Sequence, residues 1–235
     1  MADPGRLIGS GRAADVYDLG GERVLRRYKL APGDGTTERE ASVMDHLRRH
    51  GYPVPAVFDA GGTDLVMQRL RGTTMLDDLG THPWRVDRHA ALWATMVQRL
   101  GTVPVGELGE LDDTGLAARF GWPEAVLHLD FHPGNIMLTA DGPMVFDWTN
   151  AALGPAAADV AMAWVIGATS TVDGPAWKRS VAALIQRRMV DRFVTACGRA
   201  EAQALVPAVA DERLADRNVR PEEAARIRSL AASVS

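Results

Sequence analysis

The sequence predicts an α+β protein with two lobes, a small β-rich lobe over residues 1–70 and a larger helical lobe over residues 71–235. Within the first seventy residues, short apolar runs bounded by glycines predict about five strands and a single helix. From residue 156 onward, nearly every segment has the pattern of a helix. The composition, with 46% hydrophobic and 24% charged residues, is that of a folded globular protein and excludes a chain that is disordered throughout.

The elements of the first lobe follow from local signals. A helix is predicted to begin near Thr37, to bury Val43, Met44 and Leu47 on one face, and to end before Gly51. Gly20-Gly21 predicts a tight hairpin turn between the second and third strands. The five strand patterns lie at 6–9, 15–19, 23–28, 54–60 and 64–70.

The second lobe begins with a helix predicted over 87–100, where Leu92, Met96 and Leu100 recur at helical spacing. Two short strands, 136–139 and 143–146, flank a turn. Three prolines are expected at helix starts or boundaries, because proline is tolerated in a first turn and not in an interior. They are Pro175, Pro207 and Pro221.

The net charge and the number of cysteines indicate which binding partners and which cellular compartment are to be expected. The net charge of −4 leaves no basic excess to neutralise phosphates, so we expect no nucleic acid partner. Cys197 is the single cysteine, which favours a reducing compartment. No apolar run approaches the roughly 20 residues of a membrane span. We therefore expect a cytoplasmic protein without a membrane partner, and nothing in the sequence indicates its oligomeric state.

The strongest motif is His128-Leu-Asp-Phe-His-Pro-Gly-Asn135, followed by Val145-Phe-Asp-Trp148. It supplies the oxygen groups that phosphoryl transfer needs: a carboxylate to face the attacking hydroxyl, and a carboxamide with a second carboxylate to hold Mg²⁺. A polar turn between two strands is the alternative interpretation.

This motif resembles the catalytic loop of the aminoglycoside phosphotransferase and choline-kinase-like family, which has a protein-kinase-like fold. The family pattern is His-Gly-Asp-x-His-x-x-Asn, then Ile-Asp-Trp, and Leu129 stands here in place of its glycine. The resemblance implies that Asp130 is the catalytic base, that Asn135 and Asp147 bind Mg²⁺, and that His128 braces the loop. It implies ATP as the phosphoryl donor, with GTP as the alternative.

A second motif, Ile8-Gly-Ser-Gly11, lies between the first two strands. Glycines let backbone N–H groups approach phosphates, so Gly9, Ser10 and Gly11 are candidate nucleotide contacts. A dinucleotide fingerprint with Asp34 as the ribose carboxylate is the alternative. It requires a helix directly after the glycines, whereas a hairpin is predicted there.

The resemblance also implies a cation on the third strand and a glutamate on the next helix. No lysine stands at the expected place, and strand alternation puts Val24 and Arg26 on one face, with Arg27 on the other. We expect Val24 to cover adenine and Arg26 to meet phosphate in place of lysine. Glu40 is the candidate partner of Arg26, although Thr37-x-x-Glu40 also fits a capping box.

The segment 64–72 resembles the strand that leads into the kinase hinge. Met67 is expected behind the adenine, and Arg69 and Leu70 to offer backbone groups to it. Asp159 resembles the aspartate at a helix start that anchors the catalytic loop.

Only eleven residues separate Asp147 from Asp159, too few for the peptide platform of a protein kinase. This spacing favours a small-molecule hydroxyl acceptor. Acidic residues that could bind an amino sugar are Glu110, Asp112, Asp113 and Asp159, and Met162, Trp164 and Trp177 are expected in the core.

Two other functions fit parts of the sequence. A nucleotide-binding pseudokinase with a regulatory role would explain the missing lysine. A metal-dependent hydrolase could use His128, Asp130 and His132, whose spacing can hold zinc or manganese. The sequence does not identify the phosphoryl acceptor.

Overall fold

A computed structural model describes residues 4–11, 13–29, 36–106, 108, 111, 114–171, 174–215 and 219–234. Its N-terminal part is an antiparallel sheet in the order β1-β2-β3-β5-β4, with one helix packed beside it. The strands are β1 (Arg6–Ser10), β2 (Ala14–Gly20), β3 (Arg23–Tyr28), β4 (Val57–Gly61) and β5 (Asp64–Gln68), and the helix is α1 (Thr36–Arg49). The five predicted strands and the helix are all present.

The C-terminal part is mainly helical, which confirms the predicted two-lobed α+β architecture. Its long helices pack on one another, with α5 against α6 and α7, and α6 against α3. The helices are α2 (Met75–Thr81), α3 (Val86–Leu100), α4 (Leu116–Phe120), α5 (Ala157–Thr169), α6 (Ala176–Cys197), α7 (Arg199–Ala215) and α8 (Pro221–Val234). None of the helices in the described residues is long and apolar enough to cross a bilayer.

Two small sheets belong to the C-terminal part of the chain. One is three-stranded, in the order β6-β8-β9, and the other pairs β7 with β10. Their strands are β6 (Gly72–Thr74), β7 (Ala125–Leu127), β8 (Ile136–Thr139), β9 (Gly142–Val145) and β10 (Ala152–Gly154). The hairpin of β8 and β9 is the one that the sequence predicts. The three-residue strands β6, β7 and β10 are too short to show a period and were not predicted.

Aromatic side chains fix the helical lobe to the loop that precedes β8. Trp93 of α3 and Phe193 of α6 stack with their ring centroids 3.7 Å apart, and both are buried. The indole N–H of Trp93 donates a 3.0 Å hydrogen bond to the carbonyl of Phe131. The core of the lobe therefore holds the segment that carries the strongest sequence motif.

Two expectations about the helical lobe are wrong. Pro207 lies inside α7 and not at a boundary. Burial of its neighbours Leu205, Val206 and Val209 holds the helix together and offsets the roughly 3 kcal/mol that an interior proline costs. Trp177, expected in the core, is 65% exposed at the start of α6.

Candidate active site

The motif of residues 128–135 forms a loop that joins β7 to β8, and α5 anchors its beginning. The carboxylate of Asp159 accepts the backbone N–H of His128 at 2.9 Å and that of Leu129 at 2.7 Å. Asp159 itself is 2% exposed, at the start of α5. Because burial disfavours its charged form, the pKa of Asp159 is raised to about 7, although the two N–H groups act in the opposite direction.

This raised pKa predicts a pH-dependent stability. An unfolded chain releases the Asp159 proton near 3.8 and the native chain near 7, so the native state binds more protons between these values. The buried Asp159 side chain in its protonated form therefore stabilises the native state at low pH, and this stabilisation is lost as the pH rises from about 3.8 to about 7. Relative to Asp159→Asn, the wild type should lose a few kcal/mol of its advantage between about pH 4 and 7 in urea unfolding. A difference that does not change with pH would contradict this assignment.

Leu129, which stands where the resemblance expects glycine, adopts the left-handed conformation with φ of +56°. That conformation costs a branched-chain residue roughly 1–2 kcal/mol, which explains why glycine suits the position. The three bonds around Asp159 and packing of the Leu129 side chain against the core hold it there. The backbone N–H of Leu129 is bonded to Asp159 in this conformation.

We expect Leu129→Gly to be more stable than Leu129→Ala by about 1 kcal/mol in urea unfolding. Both variants lose the packing of the leucine side chain, but only glycine removes the steric cost of the left-handed backbone. Equal stability of the two variants would mean that the backbone at residue 129 is relaxed.

His128 is fully buried and braces the loop from inside. Its Nε2 lies 3.1 Å from the carbonyl of Phe146, and its Nδ1 accepts the backbone N–H of Asp130 at 3.3 Å. Burial lowers the pKa of His128, so the ring stays neutral. Both ring nitrogens are used within the protein, which agrees with the bracing role.

Asp130 and Asn135 lie side by side in this loop, and Asn135 is buried. The Asn135 amide donates to the Asp130 carbonyl at 2.9 Å and faces the Asp130 Oδ2 at 3.3 Å. The ring of His132 approaches that oxygen to 3.7 Å, while its Nδ1 accepts the N–H of Gly134. The Asp130 side chain remains 26% exposed, so it can be reached by a ligand.

The β8–β9 hairpin brings Asp147 to the same place. Ile136 pairs with Val145, and the N–H of Phe146 donates to the Asn135 carbonyl at 3.1 Å. Asp147 follows with φ of +69°, a conformation that aspartate tolerates better than most residues. The structure therefore brings Asp130, Asn135 and Asp147 together, as the sequence motif suggests.

Arg26 of β3 joins the two lobes at this point. Its Nη1 lies 2.6 Å from Glu40 Oε1 and its Nη2 lies 2.6 Å from Asp147 Oδ1. The carboxylates of Glu40 and Asp147 raise the pKa of Arg26, against the effect of its burial, and keep it charged. Although burial opposes it, Arg26 also holds the pKa of Asp147 below its ordinary value. Glu40 thus pairs with Arg26 and does not form the capping box with Thr37, whose hydroxyl bonds Glu38 and the Gly62 carbonyl.

The neighbouring residues of β3 follow the predicted alternation. The ladder of β3 is regular, so Val24 and Arg26 share one face and Leu25 and Arg27 the other, although Leu25 is also buried. Arg27 pairs with Asp64 at 2.6 Å. Met67 of β5 lies opposite Val24 in the ladder and packs against the core. These positions agree with an apolar wall of Val24 and Met67, while a contact of either residue with adenine remains a prediction.

The polar groups of the segment after β5 are less available to a ligand than expected. The backbone N–H of Arg69 already donates to the carbonyl of Glu22 at 2.9 Å, and its guanidinium pairs with Asp18. Arg69 therefore has only its carbonyl to offer a base in this conformation. Leu70 follows at the end of the sheet.

Gly9 and Ser10 are the last residues of β1, where they pair with Val16 and Asp15 of β2, and Gly11 begins the turn between the two strands. A hairpin and not a helix follows the glycines. The N–H of Gly11 donates to Ala14 at 2.9 Å, and the Ser10 hydroxyl donates to Asp15 at 2.6 Å. The side chain of Ser10 is therefore engaged within the protein, and a contact of its backbone with a phosphate remains a prediction. The structure does not support the dinucleotide fingerprint, and its proposed ribose carboxylate, Asp34, lies outside the described residues.

Part of the predicted acceptor site cannot be located. Glu110, Asp112 and Asp113 lie outside the described residues, and Asp159 is buried behind the loop. Met162 is buried as predicted, and Trp164 is half-buried against the core.

The donor set at the cleft fits Mg²⁺. Among the described residues, no hydrogen bond reaches Asp147 Oδ2 or Asn135 Oδ1, because the contacts of these side chains use Oδ1 and Nδ2. Two hard oxygen atoms suffice for an ion that keeps several waters and binds nucleotide phosphates. The described residues contain no group of three or more His, Cys, Asp and Glu side chains suited to a metal ion, so the hydrolase hypothesis lacks a site.

Two residues of this network were not predicted from the sequence. The Tyr28 hydroxyl lies 2.6 Å from Glu40 Oε2, and the Thr149 hydroxyl lies 2.9 Å from Asp147 Oδ1. Each stands two residues beyond a predicted site residue, Arg26 or Asp147. That spacing on one face of a strand was the available signal for Tyr28.

The fold and this cleft define a two-lobed, protein-kinase-like phosphotransferase. The sequence profile described as the phosphotransferase enzyme family, APH, matches residues 4–123 and 82–199, and the chain belongs to that family. No curated protein matches the sequence.

Solved structures share the fold at low sequence identity. The streptomycin–ATP complex of APH(2'')-IIa is 13% identical, with a TM-score of 0.63 over 88% of this chain and 82% of that one. A thermostable mutant of the aminoglycoside phosphotransferase APH(4)-Ia, with AMP-PNP and hygromycin B, is 16% identical, with a TM-score of 0.66 over 97% and 92%. An ethanolamine kinase from Plasmodium vivax is 11% identical, with a TM-score of 0.62 over 98% and 84%.

Proposed function

We propose that this protein is a kinase that transfers the γ-phosphoryl group of ATP to a hydroxyl group of a small molecule. The observation that carries the proposal is the convergence of Asp130, Asn135 and Asp147 in one cleft, with Arg26 linking Asp147 to Glu40 across the lobes. We propose residues 1–70 as the nucleotide-binding lobe and 71–235 as the catalytic and acceptor-binding lobe, in the cytoplasm.

Each group has a proposed role. Asp130 accepts the proton of the attacking hydroxyl and orients it. Asn135 and Asp147 hold Mg²⁺, which would neutralise charge on the phosphates. Arg26 keeps Asp147 ionised, and Gly9, Ser10 and Gly11 cover the phosphates.

The nucleotide is proposed from the resemblance and from the neighbours. Solved neighbours hold ATP or AMP-PNP, and another, at a TM-score of 0.61, holds GDP with kanamycin, so GTP stays the alternative. Val24 and Met67 support a base-binding wall, with the Arg69 carbonyl and Leu70 beside it.

The short connection after Asp147 supports a small acceptor. Three of its eleven residues form β10, which pairs with β7 directly before the catalytic loop. This pairing ties the connection down and leaves little chain for a peptide platform. Aminoglycosides, sugars and choline-like alcohols are the candidate acceptors.

An acceptor screen tests the proposal. Wild type and Asp130→Asn would be incubated with ATP and Mg²⁺ against aminoglycosides, amino alcohols, sugars and nucleosides, with ADP release as the readout. We expect at least one class to give ADP release above the acceptor-free rate in the wild type alone, with a phosphorylated product in the mass spectrum. Nucleotide binding without turnover across the library would instead support the regulatory pseudokinase.

A further inference from the structure

The Asp147 carboxylate belongs to a closed ring of polar side chains in which two members are hydroxyl groups. From Asp147 Oδ1 the ring runs to Arg26 Nη2 at 2.6 Å, and from Arg26 Nη1 to Glu40 Oε1 at 2.6 Å. The Tyr28 hydroxyl connects Glu40 Oε2 at 2.6 Å to the Thr149 hydroxyl at 2.8 Å. Thr149 closes the ring, because its Oγ1 lies 2.9 Å from Asp147 Oδ1.

We propose that Tyr28 and Thr149 are positioning residues that fix the rotamer of the Asp147 carboxylate and keep its Oδ2 available for the divalent cation. This inference rests on the proposed function, in which Asp147 is a metal ligand. Neither hydroxyl contacts the reacting atoms. Both act through Asp147.

The direction of the contacts supports this role. Arg26 Nη2 and Thr149 Oγ1 both converge on Oδ1 of Asp147, so rotation of the carboxylate would break two bonds at once. Without the Thr149 hydroxyl, Asp147 would be held by Arg26 alone, which Glu40 also binds. Asp147 therefore needs the second bond to stay in one orientation.

Tyr28 in turn restricts the position of the Thr149 side chain. Tyr28 is 6% exposed and Glu40 is 2% exposed, so their contact lies in a region of low dielectric where hydrogen bonds are strong. The two hydroxyl groups carry two hydrogens for three contacts, and with both carboxylates ionised these hydrogens go to Glu40 Oε2 and Asp147 Oδ1. The oxygens of Tyr28 and Thr149 then restrict each other's position by contact at 2.8 Å. Because Tyr28 and Glu40 belong to β3 and α1, while Thr149 follows β9, the ring also sets the position of one lobe on the other.

Isosteric substitutions test the inference through metal binding and not through turnover. The variants are Thr149→Val and Tyr28→Phe, which each remove a hydroxyl and keep the shape, together with Thr149→Ser. Mn²⁺ binding is measured by electron paramagnetic resonance in the presence of saturating AMP-PNP, and AMP-PNP affinity is measured separately without metal. Partners of metal ligands typically contribute about 10–100-fold to metal affinity.

We expect Thr149→Val to weaken Mn²⁺ binding about tenfold and Tyr28→Phe several-fold, with metal-free AMP-PNP affinity within about twofold of wild type. Thr149→Ser should restore the affinity, and the double variant should be no weaker than Thr149→Val alone, because the two hydroxyls act in series. Matched controls are Tyr17→Phe on β2 and Thr169→Val, whose buried hydroxyl bonds the Val165 carbonyl. The controls should leave Mn²⁺ affinity unchanged.

Two results would overturn the inference and are distinguishable. If the wild type binds Mn²⁺ with AMP-PNP and Thr149→Val binds it equally well, Thr149 does not position Asp147. If the wild type binds neither nucleotide nor metal, the proposed function fails and the inference fails with it. Urea unfolding of every variant identifies a loss that comes from unfolding alone, which would also count against a positioning role.

Discussion

Asp130→Asn should lower kcat for phosphoryl transfer by about 10²–10⁴-fold, because the amide cannot accept the proton of the attacking hydroxyl. The change keeps the size of the side chain, and the Asn135 amide can still donate a hydrogen bond to its remaining oxygen. We therefore expect AMP-PNP affinity within about twofold of wild type and an unchanged unfolding midpoint. The measurement is steady-state ADP release with the acceptor that the screen identifies.

A control variant distinguishes the loss of the proposed catalytic base from the mere loss of one negative charge. Asp141 is exposed in the turn between β8 and β9, at the end of the hairpin away from Asn135. Asp141→Asn removes one negative charge from the same lobe and should leave kcat unchanged. If Asp130→Asn keeps full activity, Asp130 is not the base and the catalytic group must be sought elsewhere in the cleft.

Asp147→Asn should remove most of the enhancement that Mg²⁺ gives to nucleotide binding. The amide loses the charge that pairs with Arg26 and offers one oxygen in place of two. We expect Mg²⁺ to strengthen AMP-PNP binding in the wild type and to do so at least about tenfold less in the variant, in titration calorimetry with and without the metal. An equal enhancement in both proteins would place the metal on other ligands.

The free energy of unfolding of Asp147→Asn must be measured together with its affinity for AMP-PNP. Removing one partner of a buried ion pair costs up to about 3–5 kcal/mol. Arg26 would keep Glu40 as its one charged partner and the Thr149 hydroxyl at 3.2 Å as a further acceptor. Asp147 is the more exposed partner, with 38% of its side chain accessible, so the cost should be smaller. A folded variant with reduced Mg²⁺ enhancement is the expected result.

Those features of the fold that depend on neighbouring residues in the chain could be predicted from the sequence. The glycine pair at residues 20 and 21 predicted the β2–β3 hairpin, and the period of α1 and α3 predicted their buried faces. The motif of residues 128–148 predicted one loop and one hairpin, and these carry Asp130, Asn135 and Asp147. The roles of the three side chains in catalysis and metal binding stay predictions.

Long-range contacts could not be predicted in the same way. The choice of Glu40 between a capping box and an ion pair depends on where β3 lies relative to α1, which no local pattern encodes. Tyr28 and Thr149 meet across the lobes, and nothing near either residue indicates the other. Pro207 lies in a helix interior because packing on both sides outweighs its local preference.

The most direct test is a crystal structure with AMP-PNP and Mn²⁺, in which anomalous scattering locates the manganese. The account predicts a manganese peak in coordinating contact with Asn135 and Asp147, the γ-phosphoryl group of the analogue facing Asp130, and the base between the β-sheet and the residues after β5. A nucleotide bound outside this cleft, or a manganese peak away from both side chains, would contradict it.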